Sequence, residues 1–198
     1  KPINSNGYLV ADMSSDIFSR PIDISEFGLI YAGAQKNMGP AGVTMVIIRD
    51  DILDKVDRKI PTMMNYRAHI DKGSMFNTPP VMSIYAVNRT LTWLKSIGGI
   101  DCIEKKNKLK AQKLYDEIDN NVLFRSPVKV ENRSMMNVPF VFAEQGDESS
   151  FLSYCNQRGL QTLKGHRSVG GFRASIYNAM PEEGVDALIQ TMKDFQLN

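Results

Sequence analysis

The chain has 198 residues, of which 42% are hydrophobic and 23% are charged, and these proportions exclude a disordered, fibrous or membrane-embedded protein. The net charge of +2 is too small to indicate nucleic acid or an anionic membrane as a partner. No apolar run reaches the roughly 18 to 20 residues that a membrane helix needs, and the N-terminus has neither a basic leader nor an apolar signal core. We therefore expect a cytoplasmic location.

The cysteines and histidines do not predict a metal site. Cys102 and Cys155 form no CxxC pattern and have no neighbouring histidine, so zinc-ribbon and thioredoxin-like chemistry are unsupported. Two cysteines in a chain of this length favour a reducing compartment. His69 has no second ligand at metal spacing, and we expect it at a loop surface or a dimer contact.

The first part of the chain predicts strands at 8–13, 28–34 and 43–49. The third run is apolar almost throughout, which is typical of a strand covered on both faces. Residues 50–59 predict one or two helical turns, and 60–78 predicts a long irregular loop with a function or a partner.

The second part of the chain begins with two long helices. Apolar residues recur at helical spacing from Pro80 to Gly98, and a second helix is predicted at about 100–119. The elements predicted after these helices are strands at 122–124, 137–142, 160–163 and 172–177, and helices at 148–158 and from Pro181 onward. This order predicts an α/β domain at 1–95 and a small α+β domain at 96–198.

Asp12 and Lys36 are the first candidates for chemistry. Both lie beyond the carboxyl ends of predicted strands, where open α/β sheets bind their ligands. No acidic residue lies near Lys36 in the sequence, so it is a candidate reactive amine that could form a Schiff base. A surface lysine in a turn is the alternative that spacing alone leaves open.

A second candidate group consists of three cations, His166, Arg167 and Arg173, around Gly170 and Gly171. The planar guanidinium of arginine suits both carboxylates and phosphates, so the group could bind an anionic substrate. Without further information, a surface turn explains the His-Arg pair, and a buried structural ion pair explains Arg173.

Several segments follow one another in a recognisable order: Asp12-Met13-Ser14-Ser15, Ala34-Gln35-Lys36-Asn37, Asn77-Thr78-Pro79-Pro80, Gly165-His166-Arg167-Ser168 and Arg173-Ala174-Ser175. In this order they resemble the pyridoxal-phosphate aminotransferases of fold type I and class V, in particular the phosphoserine aminotransferases. The resemblance runs from about residue 7 to the C-terminus. It implies the end of a three-layer α/β/α large-domain sheet followed by a small α+β domain.

The resemblance also implies roles for individual residues around a pyridoxal 5′-phosphate cofactor. Asp12 pairs with the pyridine nitrogen, and Lys36 holds the cofactor as a Schiff base and then shuttles the proton. Gln35 binds the cofactor phosphate, and Asn77 with Thr78 reaches that phosphate from the neighbouring subunit of a homodimer.

For the substrate, the resemblance implies that Arg173 binds the α-carboxylate and that His166 and Arg167 contact the phosphate. The implied reaction is a ping-pong transamination in serine biosynthesis. It interconverts 3-phosphohydroxypyruvate plus glutamate with O-phosphoserine plus 2-oxoglutarate. No nucleic acid, membrane or metal is implied.

Two alternatives stay open. One is another fold-type-I enzyme, either a small-amino-acid transaminase or a cysteine desulfurase, although both cysteines fall in predicted helices rather than in a reactive loop. The other is an inactive anion-binding or oligomerisation module. Members of the family are considerably longer and the chain does not start with methionine, so we expect these residues to carry about half of a site and to be inactive alone.

Overall fold

The computed structural model describes residues 7–53 and 55–197. The chain divides into two compact units, Lys1–Ser96 and Ile97–Asn198. Each unit has its own hydrophobic core and its own three-stranded sheet.

The sheet of the first unit consists of β1 (Val10–Asp12), β2 (Leu29–Gly33) and β3 (Thr44–Ile48), in that spatial order. β1 pairs with β2 in parallel, and β2 pairs with β3 in antiparallel orientation. The three predicted strands are confirmed, with shorter bounds. In the β1–β2 register, Asp12 lies opposite Tyr31.

Only one face of this sheet is buried within the described part of the chain. Ile30 and Ala32 point into the core, where Met45 and Ile47 also pack. The opposite face exposes 56% of Val10 and leaves Val46 half-buried. Met45, Val46, Ile47 and Ile48 are all half-buried, so both faces of β3 are partly covered by the described residues. The prediction that β3 is covered on both faces stays a prediction.

The segment after β3 differs from the prediction in two places. The predicted helical turns at 50–59 shrink to one 3₁₀ turn, Asp50–Ile52, and residue 54 lies outside the described residues. The predicted irregular loop contains a 3₁₀ turn, Thr62–Met64, and a short helix, α1 (Tyr66–Ile70). The Asn65 side chain caps α1 by accepting a hydrogen bond from Arg67 N. The sequence of α1 has no apolar periodicity, so the helix could not be predicted from its pattern.

α2 (Val81–Ser96) confirms the predicted helix and supports the turn between β2 and β3. A Cβ atom placed on Gly39 would lie 3.1 Å from a methyl carbon of Val87, so helix and turn are in close contact. Ser83 Oγ also donates a hydrogen bond to Ala41 O, at 3.1 Å. α2 therefore packs against the segment that follows Lys36.

The second unit contains three helices and an antiparallel sheet in the order β4-β5-β6. Its elements are α3 (Gly99–Asn120), β4 (Phe124–Arg125), a 3₁₀ turn (Val130–Asn132), β5 (Asn137–Phe142), α4 (Glu148–Gln157), β6 (Phe172–Ser175) and α5 (Glu182–Gln196). The predicted strand at 160–163 is wrong. Thr162 has a φ of 60°, which interrupts extended backbone, and only Lys164 forms a bridge to Phe172.

Aromatic side chains form the centre of the second core. The ring centroids of Phe151 and Phe172 lie 4.8 Å apart, and those of Phe124 and Phe151 lie 4.9 Å apart. Such contacts join the sheet and the helices in one buried cluster.

Among the described helices, none is long and apolar enough to cross a bilayer.

A buried lysine ties α3 to the segment that leaves β6. Lys110 is only 3% exposed, and its Nζ donates hydrogen bonds to Ile176 O (3.2 Å), Tyr177 O (2.9 Å) and Met180 O (2.9 Å). Burial, together with the nearby charge of Lys106, lowers the pKa of Lys110 from 10.5 to about 8. The segment between β6 and α5 is thus held by an amine that is only partly charged above pH 8.

We predict that Lys110→Met destabilises the intact protein by about 2 kcal/mol at pH 7, because buried carbonyl groups lose their donor. The folded pKa of Lys110 is depressed, so its contribution to stability rises as the pH increases from about 8 towards 10.5. The difference between wild type and variant should therefore widen by roughly 1 kcal/mol from pH 7 to pH 9. Urea unfolding at the two pH values measures this.

Tyr115 and Cys155, whose pKa values are raised by burial, act in the opposite direction at high pH. Both residues are present in wild type and variant, so their effects cancel in the comparison. A difference that narrows with pH would contradict the assignment of Lys110.

Candidate active site

Asp12 ends β1, and its carboxylate is held by the backbone that follows it. Asp12 Oδ1 accepts hydrogen bonds from Ser14 N at 2.9 Å and from Ser14 Oγ at 2.6 Å. The same hydroxyl oxygen accepts a hydrogen bond from Gly33 N at 3.0 Å, at the end of β2. Ser14 therefore links the carboxylate to the neighbouring strand.

These contacts keep Asp12 ionised. The pKa of Asp12 is lowered, first by the hydroxyl and the amide of Ser14, and further by a hydrogen bond from Tyr31 and the positive charge of Lys36. The pKa of Tyr31 is raised in return by the charge of Asp12. A carboxylate that is exposed but strongly hydrogen-bonded is charged at neutral pH and can hold a cationic group of a ligand.

Lys36 lies in the turn between β2 and β3, close enough to Asp12 for its charge to act on that carboxyl group. Its side chain is half-buried. The following residue, Asn37, is buried and donates from Nδ2 to Ser15 O (3.2 Å) and Ile17 O (3.1 Å). Asn37 thus ties the turn that carries Lys36 to the segment that follows Asp12.

Gln35 precedes Lys36, and its side chain folds back over the end of β2. A Cβ atom placed on Gly33 would lie 2.5 Å from Gln35 Oε1, so glycine leaves the space that this amide occupies. Gln35 remains exposed, and its amide is available to a ligand. Three predicted residues, Asp12, Gln35 and Lys36, therefore lie together at the ends of β1 and β2.

Asn77 and Thr78 lie on a different segment, just before α2, and both are exposed. Asn77 Nδ2 donates a hydrogen bond to Thr78 O at 3.3 Å. Their predicted contact with a cofactor in a neighbouring subunit stays a prediction.

In the second unit, the predicted phosphate-binding residues lie on a closed loop, 165–171. Gly165 N donates a hydrogen bond to Gly171 O at 2.8 Å, which closes the base of the loop. His166 and Arg167 are exposed near its tip, and His166 Nδ1 lies 2.7 Å from Ser168 Oγ. The loop presents two side chains that can carry positive charge to solvent.

Arg173 lies in β6, directly after this loop, and is half-buried. Strand pairing places it opposite Pro139, and its backbone N donates to Leu163 O at 2.7 Å. Its Nε is buried and has no hydrogen-bond partner among the described residues. A buried unpaired N–H is costly, so this donor is available for an anion such as a carboxylate.

The groups of the first unit fit pyridoxal phosphate. An ionised carboxylate suits a protonated pyridine nitrogen, a primary amine suits an aldehyde, and an amide suits a phosphate oxygen. Asp12, Lys36 and Gln35 supply these three groups. The described residues contain no cluster of histidine, cysteine or acidic side chains that could hold a metal ion.

Sequence reasoning did not single out three residues that organise these sites. Ser14 and Asn37 hold the Asp12 and Lys36 segments, and Glu148 contacts the 165–171 loop at Gly171 N. Ser14 had a local signal, because a serine two positions after an aspartate often closes a turn. The contacts of Asn37 and Glu148 span 20 to 23 positions of the chain and leave no local pattern.

The chain is similar to known proteins over nearly its whole length. The family model described as aminotransferase class-V matches residues 3–188. A curated phosphoserine aminotransferase from Azobacteroides pseudotrichonymphae genomovar. CFP2 is 57% identical over 98% of this chain and 55% of its own length. One from Parabacteroides distasonis is 60% identical over 95% of this chain and 54% of its own length.

A solved structure described as pyridoxal-phosphate-bound phosphoserine aminotransferase from Trichomonas vaginalis is also similar. It is 46% identical, with a TM-score of 0.90, over 96% of this chain and 55% of its own chain. This agreement confirms the predicted α/β fold class. The chain spans about half the length of the relatives that it matches.

We predict that Ser14→Ala raises the pKa of Asp12 towards the ordinary value of 3.8, because both the hydroxyl donor and the link to Gly33 are lost. A carboxyl-carbon NMR titration of the intact protein measures this change. Ser25→Ala is a matched control, since Asp23 accepts from Ser25 N and Oγ in the same way. The control should raise the pKa of Asp23 and leave Asp12 unchanged; an unchanged pKa in Ser14→Ala would contradict the prediction.

Proposed function

Because this chain belongs to the class-V aminotransferase family, we propose that it carries part of the active site of a pyridoxal-phosphate-dependent phosphoserine transaminase. The proposed reaction interconverts 3-phosphohydroxypyruvate plus glutamate with O-phosphoserine plus 2-oxoglutarate, a step of serine biosynthesis. The observation that carries the proposal is the proximity of an ionised Asp12 to Lys36 at adjoining strand ends. The names and identities of the relatives support the choice of substrate.

The two units have separate tasks in this proposal. The unit Lys1–Ser96 corresponds to the C-terminal part of the large cofactor-binding domain, and the unit Ile97–Asn198 corresponds to the small C-terminal domain. When bound, pyridoxal phosphate supplies an aldehyde carbon for amine exchange and a ring that withdraws electrons from the substrate. The residues of the chain hold that group, orient the substrate and move its proton.

Asp12 keeps a proton on the pyridine nitrogen through its negative charge, and Ser14 keeps that charge in place. Lys36 Nζ would hold the cofactor and, when it is free, would take the proton from the substrate Cα. The amide of Gln35 hydrogen-bonds the cofactor phosphate. Asn77 and Thr78 supply further donors to that phosphate in the neighbouring subunit.

Substrate binding is divided between two cationic groups of the second unit. Arg173 binds the α-carboxylate, which every amino-acid substrate carries, and its unpaired Nε supports this role. His166 and Arg167 bind the phosphate, which only one of the two substrate pairs carries. Because phosphoserine and glutamate both carry an α-carboxylate, Arg173 can bind either donor.

We further propose that the protein is a homodimer. Large apolar side chains are exposed along the segment that contains Asn77 and Thr78: Met63, Met64, Met75, Val81, Met82 and Tyr85. A concentration of exposed apolar surface is typical of an interface.

We also propose a cytoplasmic location, which agrees with two cysteines that form no disulfide with each other.

The desulfurase alternative is not favoured. That chemistry needs a reactive thiolate in a mobile loop, but Cys155 is buried in α4, where burial raises its pKa to about 11. Cys102 lies within α3 and is half-buried.

We predict that borohydride reduction of the intact protein, after incubation with pyridoxal phosphate, attaches the cofactor to the peptide that contains Lys36. Condensation of the amine with the aldehyde releases water, and hydride then makes the linkage stable. Lys36→Ala should abolish the mass increase and the visible absorption, whereas Lys72→Ala, which removes an exposed lysine of the same unit, should change neither. A stable adduct at another lysine in Lys36→Ala would refute the assignment.

We predict that the two cationic groups separate in half-reactions of the intact enzyme. Arg167→Ala should lower kcat/KM for phosphoserine by about tenfold to a hundredfold and leave the half-reaction with unphosphorylated serine nearly unchanged, because only phosphoserine loses a charged hydrogen bond. Arg173→Ala should impair both amino donors. Stopped-flow absorbance of the cofactor measures each half-reaction. Equal losses for both donors in Arg167→Ala would contradict the proposed phosphate contact.

A further inference from the structure

The base of the 165–171 loop is tightly closed. Gly165 N donates to Gly171 O, and a Cβ atom at Gly165 would overlap the carbonyl oxygen of Gly170. Gly171 has a φ of 61°, and a Cβ atom there would lie 2.5 Å from Val141 Cγ1. The backbone at the base therefore has little freedom, while the side chains at the tip are exposed.

One side chain from another element holds this base. Gly171 N donates a hydrogen bond to Glu148 Oε1 at 3.0 Å. Glu148 is the first residue of α4, whose N-terminus is capped by Asp147 through hydrogen bonds from Ser149 N and Ser150 N. The acceptor carboxylate is thus anchored in a capped helix, and a hydrogen bond to a charged acceptor is stronger than one to a neutral acceptor.

The strand after the loop does not depend on this bond. Arg173 is held by the pairing of β6 with β5 and by the hydrogen bond from its own N to Leu163 O. Loss of the bond at Gly171 would loosen the base of the loop that carries His166 and Arg167 and leave the strand that carries Arg173 in place. The two substrate groups would be affected differently.

We propose that Glu148 is a positioning residue that sets the affinity of the 165–171 loop for the phosphate of the substrate. It acts by fixing the backbone at Gly171. This inference rests on the proposed function, because it assumes that the substrate phosphate binds at His166 and Arg167. It assigns to a helix N-terminal carboxylate the task of ordering a cationic loop.

The test compares Glu148→Ala, Glu148→Gln and Glu144→Ala in the intact enzyme. Loss of one such hydrogen bond should raise KM for phosphoserine, and the inhibition constant of inorganic phosphate, by about threefold to tenfold in Glu148→Ala. KM for unphosphorylated serine should stay within about twofold of wild type, since serine carries no anionic group on its side chain. Glu148→Gln keeps an acceptor oxygen and should restore phosphoserine binding, and Glu144→Ala, at an exposed position near α4, should have no effect.

Amide hydrogen exchange gives a readout that does not depend on turnover. Peptides covering Gly171 should exchange faster in Glu148→Ala than in wild type or Glu148→Gln. Equal losses for phosphoserine and unphosphorylated serine, unchanged phosphate inhibition, or a Gln variant that behaves like the Ala variant would overturn the proposal. A wild-type enzyme that reacts with glutamate but not with phosphoserine would instead refute the proposed function, and the inference with it.

Discussion

The parallel register between β1 and β2 is the constraint on which the candidate active site depends. It places Asp12 opposite Tyr31 and brings the end of β1 beside the strand that leads to Lys36. Since side chains alternate along a strand, a slip of one residue would turn Asp12 towards the core face that Ile30 and Ala32 occupy. The hydrogen bond from Gly33 N to Ser14 Oγ adds a link across the same strand ends, so the register and the ionised carboxylate support each other.

Several charged side chains hold the elements of the second unit together. The amine of Lys110 is bound to three carbonyl groups, and the carboxylate of Glu148 accepts a backbone N–H. Lys113 forms its ion pairs with Glu182 and Asp186 on α5. These charges fix α3, α4 and the segments beside β6, while Arg173 Nε remains unpaired among the described residues. The charges that support the fold are therefore separate from Arg173, the cation that we propose binds the substrate carboxylate.

Much of the fold could be predicted because its signals are local. Apolar runs located the three strands of the first unit, and helical spacing located α2, α3 and α5. The predicted strand at 160–163 was wrong because a single backbone conformation, the positive φ of Thr162, decides the outcome there. The positions of Asp12 and Lys36 followed from strand ends, but their individual roles came from the resemblance and stay predictions. The supports provided by Asn37 and Glu148 join distant segments, so no local pattern could indicate them.

If the 165–171 loop binds the substrate phosphate as we propose, its closed base has a consequence for how substrate preference could change. Steric limits at Gly165 and Gly171 make the base intolerant of larger side chains, whereas Arg167, Ser168 and Val169 point to solvent and meet no such limit. Substitutions confined to the tip of the loop could therefore change which anionic group is bound without unfolding the second unit. Within these seven consecutive residues, the positions that could change ligand preference are therefore different from the positions that maintain the fold.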